Sequence, residues 1–153
     1  KIFTGAVTNW KQVGGPDHPI LVLSRESSSG TFVYFQEEVL AKQDYTAAAR
    51  SLPGTSAMIQ NIATDMWTIG YVGLGYADQA GNKVKTLAIA PAEGQPAVIP
   101  SEETINNGTY AIARPLFLYT GSAPAGLTKE FLDYAVSEAG QAIVRQAGYV
   151  PVK

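Results

Sequence analysis

The chain contains no cysteine and a single histidine. The first absence removes disulfides, thiolate nucleophiles and cysteine-ligated metals together, and it fixes no compartment, since a cysteine-free chain suits either side of a bacterial membrane. The second leaves only His18, in the turn Pro16-Asp17-His18-Pro19, to serve a Ser-His-Asp hydrolase or an imidazole-bound metal. No G-x-S-x-G elbow accompanies it. No catalytic residue, metal ligand or cofactor is therefore assigned.

Net positive charge is lacking as well. At a formal charge of −2 and a pI near 5.3, no overall field exists to gather nucleic acid or an anionic membrane surface, so nucleic acid is excluded as the expected partner. Trp10, Trp67 and the tyrosines lie among apolar residues without basic interleaving, as core aromatics do rather than base-stacking platforms. No run approaches the ~20 apolar residues of a membrane span, so the chain is not expected to cross one. Its start lacks the basic region, apolar stretch and cleavage site of a signal peptide. Lys1-Ile2-Phe3 leads at once into Thr4-Gly5, a pattern like a glycine-closed helix end, which suggests a fragment or a processed chain.

Nucleotide loops are also missing. Gly73-Leu74-Gly75 follows an apolar run, but Asp78 stands where the third glycine of a dinucleotide fingerprint would fall, so a tight turn is expected there. No G-x-x-x-x-G-K-[ST] motif occurs. Asn107-Gly108-Thr109 fits a glycosylation sequon but is expected simply to end a helix.

What is present fits one compact globular domain: 153 residues, 46% hydrophobic and 16% charged. After the turn-rich Gly14-Gly15-Pro16-Asp17, the continuous apolar run Ile20-Leu21-Val22-Leu23 predicts a strand buried on both faces, and hence a parallel, covered sheet. Phe32, Phe35, Val39 and Leu40 recur at helical intervals over residues 31–42, and Ser29 can cap that helix. A second helix is expected over residues 56–65, then a strand over 69–72 and another over 84–89. Pro91 to Pro100 reads as an irregular connection and the only linker. A short serine-capped helix follows over 101–105, a strand over 116–119, and helices over 127–136 and 138–146, with Gly148 closing the last. Strands and helices alternate, so the class is α/β.

The order strand, Arg25, polar turn, Ser29-Gly30-Thr31, helix suits a tetrahedral anion. First-turn N–H groups and the helix dipole favour negative charge there, and Gly30 permits close approach of a ligand to the backbone. Ser29 and Thr31 add hydroxyls, and the fork of Arg25 can hold two oxygens while staying charged. On spacing alone, a serine-rich capping turn with Arg25 as a solvated charge accounts for the same residues. Glu26, adjacent to Arg25 on extended backbone, should point to the opposite side, as a salt-bridge partner or a surface residue.

Ile2-Phe3-Thr4-Gly5, Thr8-Asn9-Trp10, Ser24-Arg25 and Ser29-Gly30-Thr31 together resemble the phosphate-binding proteins of bacterial phosphate ABC transporters. Further similarity runs through Ile69-Gly70-Tyr71-Val72, Asn107-Gly108-Thr109-Tyr110, Arg114-Pro115-Leu116 and Gly140-Gln141 to Gly148-Tyr149-Val150-Pro151. The resemblance implies a type II periplasmic-binding-protein fold. Residues 1–112 would form the second lobe, and residues 113–153 would return to the first lobe as its C-terminal part. It implies Arg25, Ser29, Gly30 and Thr31 as ligands of inorganic phosphate, an ABC permease as partner, a periplasmic or otherwise extracytoplasmic location, and binding without catalysis. An oxyanion-sensing module of a signalling protein is the alternative use of the same fold. The family's preceding segment, which supplies further ligands and the acidic residue that selects phosphate over sulfate, has no counterpart here. Weak binding by this chain alone is therefore expected. Self-association through an uncovered C-terminal segment is expected too.

Overall fold

Leu21–Arg25 forms β1, the middle strand of a three-stranded sheet in the computed structural model, which describes residues 1–152. β2 (Arg50–Leu52) and β3 (Thr68–Ile69) flank it in the order β2-β1-β3, and both pairings are parallel. Val22, Leu23 and Ser24 are buried in succession, as a strand covered on both faces requires. The short strand β2 carries no run that announces it in the sequence.

Strand alternation separates two environments. Leu23 packs with Leu52 of β2 and Met58, and the partly buried Leu21, Ile62 and Val72 complete this core. Met58 and Ile62 lie on α2 (Thr55–Thr64), one residue earlier than the expected helix. Ser24, on the other face, meets a cluster of rings in which Phe35 stacks on Tyr71 at 4.2 Å and Phe32 on Tyr45 at 4.5 Å.

The helix after the polar turn is shorter than its periodicity implies. α1 spans Gly30–Tyr34 and continues as a π-helical turn over Phe35–Val39, in which the Leu40 N–H donates to the Phe35 carbonyl at 3.0 Å. Left-handed backbone at Ala41 and Lys42 then ends it, short of the expected residue 42. β3 stops at Ile69 rather than reaching residue 72, because the Tyr71 N–H turns out of the ladder toward Met58 Sδ, 3.3 Å away. Gly70 makes this approach feasible, since a Cβ there would lie 2.8 Å from the same sulfur. Gly73-Leu74-Gly75 is the start of α3 (Leu74–Ala80), with Gly73 as its cap, and not the expected tight turn.

The residues fall into two compact units, Lys1–Lys85 and a second from Thr86, where composition implied one domain. The physical reason is that the buried hydrophobic side chains Val22, Leu23, Phe35, Leu40, Leu52 and Met58 all belong to the first unit. The division also falls before the expected linker. Residues 91–100 lie within the second unit, where Ile89 and Val98 pair as an isolated bridge across them.

In the second unit α4 (Glu102–Asn106) is capped by Ser101 and ends at Asn107 and the left-handed Gly108, as the motif implies. α5 (Gly126–Ala135) and α6 (Glu138–Gln146) match the expected pair, with Gly148 at φ +82° beyond them. The Gly140-Gln141 pair acts at their junction. Gly140 lies against the carbonyls of Tyr134 and Ala135, while the buried Gln141 donates to the Ala135 carbonyl and accepts from the Val152 N–H, both at 2.7 Å. Arg145 forks onto Glu102 at 2.9 and 3.1 Å, and this hydrogen bond holds the Glu102 carboxyl below its usual range. The pair is exposed and contributes little to stability.

Two expected strands do not form among the described residues. Residues 84–89 contribute only the single bridge at Ile89. Residues 116–119 join no ladder and stay exposed, with Leu116 at 65%, Phe117 at 65%, Leu118 at 61% and Tyr119 at 88%. Apolar, strand-prone residues become a strand only beside a partner edge.

Candidate anion-binding site

In the order β2-β1-β3 the chain leaves β1 toward β2 and then crosses back to β3. The carboxyl end of the middle strand is therefore the topological switch point at which open α/β sheets hold their ligands. Arg25 is the last residue of β1, and Glu26–Ser28 form the turn into α1.

Alternation places Arg25 on the same face as Leu23, toward α2. Its Nη1 donates to Thr55 Oγ1 at 3.2 Å and its Nη2 to the Pro53 carbonyl at 3.3 Å. These two contacts fix the plane of the guanidinium at the start of α2. Nε is enclosed without any hydrogen-bond partner, and no carboxylate pairs with Arg25 among the described residues. Glu26 is exposed and takes no part in these ion pairs, so its expected role as a surface residue holds and that of a salt-bridge partner does not. A guanidinium beside a helix start, without a carboxylate, leaves positive potential that suits an anion.

The other half of the motif is the start of α1. The Ser29 N–H donates to the Glu26 carbonyl at 2.9 Å, which closes the turn, and Ser29 Oγ accepts from the Thr31 N–H at 3.2 Å. The first helical backbone bond is that of the Val33 N–H to the Ser29 carbonyl, at 3.1 Å. The N–H groups of Gly30 and Phe32 therefore precede the ladder, as first-turn groups that an acceptor can use. Gly30 is exposed and needs no left-handed backbone. All four motif residues thus sit on one arc from the end of β1 to the first turn of α1. Ser29→Ala removes the cap and is expected to lower stability by about 1 kcal/mol in urea denaturation. An unchanged urea midpoint would show that the hydroxyl does not cap.

Sequence reasoning passed over the residues behind this arc. Tyr71 Oη lies 3.0 Å from Ser24 Oγ, accepts from the Arg25 N–H at 3.3 Å and lies 3.0 Å from Tyr45 Oη, which donates to the Phe32 carbonyl at 3.1 Å. Burial raises the Tyr45 pKa far above the normal phenol value, so it stays a neutral donor. The available signal was that a buried tyrosine must place its hydroxyl somewhere. Trp10 and Trp67 do prove structural, since the Trp10 indole donates to the Trp67 carbonyl at 3.0 Å. His18 stacks on Trp67 at 4.0 Å and belongs to no group of metal-ligating side chains among the described residues.

A parallel sheet with Arg25 and a polar turn at the carboxyl end of its middle strand is α/β in class, and its likeness to known proteins makes it a fold of the periplasmic-binding-protein type II kind. A family model of the PBP superfamily domain matches residues 1–139, and the chain belongs to that superfamily. It is 36% identical over 138 residues to the phosphate-binding protein PstS of Pseudomonas aeruginosa, across 88% of this chain and 42% of that protein. Among solved structures, an ABC-type phosphate transport receptor from Vibrio cholerae is similar at a TM-score of 0.77 and 30% identity, over 97% of this chain and 59% of that one. PstS from Borrelia burgdorferi is similar at a TM-score of 0.74 and 30% identity, over 100% and 61%. The chain spans less than half the length of the curated relatives named PstS.

Proposed function

We propose that this chain is part of an extracytoplasmic solute-binding protein that binds inorganic phosphate for uptake by an ABC permease. Arg25, Ser29, Gly30 and Thr31 supply one side of the anion shell. Residues 1–112 serve as the second lobe and residues 113–153 return to the first. The observation that carries the reading is Arg25, its plane fixed by Thr55 and Pro53, its Nε unpartnered and no carboxylate paired with it among the described residues, at the switch point of the sheet. The relatives, a phosphate-binding protein and a phosphate transport receptor, supply the choice of phosphate.

The activity is capture by lobe closure, without bond making or breaking, and no metal or cofactor takes part. Hydrogen bonds to a charged acceptor gain most where water is excluded, so an anion held between two lobes binds more tightly than one on a single open face. The exposed apolar stretch at residues 116–119 supports the assignment of the C-terminal segment to another lobe, which would cover it. The same stretch supports self-association of this chain on its own.

Calorimetry of the full-length protein against phosphate, sulfate and molybdate tests the reading. Saturable heat with phosphate, at affinity well above that for the other two, is expected. Binding of sulfate or molybdate with no response to phosphate would overturn it. The absence of a no-cofactor, phosphate-specific response in dialysed protein would do so equally.

A further inference from the structure

Two tyrosine hydroxyls tie the ends of the candidate anion loop together from behind. The proton order follows from the outer partners. The Phe32 carbonyl can only accept, so it takes the Tyr45 proton, and Tyr45 Oη must then accept from Tyr71. Tyr71 has thereby used its one proton, so both its remaining contacts are accepted ones, from the Arg25 N–H and from the Ser24 hydroxyl. Every member of the chain is satisfied in this arrangement, with the Arg25 carbonyl, 3.4 Å from Ser24 Oγ, as a second and longer acceptor for that hydroxyl. It runs from the last residue of β1, across the switch point to the residue after Gly70, and back to the first turn of α1.

Its packing adds to its stiffness. Tyr71 stacks on Phe35 at 4.2 Å, and Phe35 also contacts Phe3 at 4.7 Å, so the rings are held independently of the hydroxyls. Ser24 is 3% exposed, which leaves it no solvent to turn to. Neither tyrosine is among the residues assigned to the anion, and a simple core role would be filled equally well by phenylalanine.

Resting on the phosphate reading above, we propose that Tyr71 and Tyr45 are positioning residues for that site. Their hydroxyls fix the distance between the Arg25 main chain and the first turn of α1, so that the guanidinium and the helix N–H groups meet one tetrahedral anion together. Loss of either hydroxyl lets the arc widen. The anion then keeps some of its donors but not all of them at once.

Tyr71→Phe and Tyr45→Phe in the full-length protein test this, each retaining the ring and losing one oxygen. Each is expected to weaken phosphate binding roughly 5–20-fold, as measured by calorimetry well below the unfolding temperature. Because the two hydroxyls act in series, the double variant should lose about as much as either single one and not the product of the two. Arg25→Ala runs alongside as the control for the site itself. If the tyrosine variants bind like the parent while Arg25→Ala does not, the positioning role is wrong and the phosphate site stands. If all three bind like the parent, the site assignment falls and this inference with it. If affinity falls only at temperatures where the ligand-free variant is already partly unfolded, the hydroxyls serve folding alone and the proposal is overturned.

Discussion

Arg25→Ala in the full-length protein is expected to weaken phosphate binding by about 10²–10⁴-fold, from the loss of two charge-assisted hydrogen bonds at roughly 1.5–3 kcal/mol each. The remaining donors at Ser29, Gly30 and Thr31 would still face the ligand, so binding should weaken and not vanish. Arg25→Lys separates charge from geometry. It retains the cation but has no fork to span two oxygens, and it cannot at once reach Thr55 and the Pro53 carbonyl, which hold the guanidinium plane. A loss of about tenfold or more is expected for lysine, and titration calorimetry reads both variants directly. Alanine binding within a few-fold of the parent would remove Arg25 from the site. Lysine equal to arginine would show that charge alone matters.

The largest effect on stability is expected at Gly140, and there two principles predict opposite signs. Alanine is a better helix former than glycine by about 1 kcal/mol, so propensity alone makes Gly140→Ala stabilising within α6. Packing forbids it. A Cβ on Gly140 would overlap the Tyr134 carbonyl oxygen and sit 2.7 Å from that of Ala135, and both are backbone atoms that cannot swing aside. The change must push α6 off the end of α5. It would also strain the hydrogen bonds by which Gln141 ties the Ala135 carbonyl to the Val152 N–H. A net destabilisation of roughly 2–4 kcal/mol is expected, seen as a lowered urea midpoint and faster amide exchange in α5 and α6. A more stable variant would mean that the two helices do not approach as described.

Arg25 and Gly140 also differ in how far the sequence discloses them. The short apolar run at residues 20–23, bounded by turn signals, points to a covered strand, and β1 forms there as the middle of a parallel sheet. The serine cap and the 3.6-residue period place α1, and the same logic places α5 and α6 nearly to the residue. Where a strand depends on its neighbour, the pattern misleads. Residues 84–89 and 116–119 have strand composition and no ladder, while Arg50–Leu52 is a strand with no signature, recruited by the open edge of β1.

The candidate site divides along the same line. Local sequence, with the family resemblance, nominated the four residues of the proposed anion motif, because a cap, a glycine and an arginine at a strand end are near neighbours along the chain. Only the tertiary structure decided what holds them. Thr55 and Pro53 come to Arg25 from the next βα turn, and Tyr45 and Tyr71 come to the Phe32 carbonyl and the Arg25 N–H from 13 and 46 residues away, respectively. A hydrogen bond between residues so distant leaves no period and no spacing in the sequence. It exists only because parallel strands in the order β2-β1-β3 bring their carboxyl ends to one edge of the sheet.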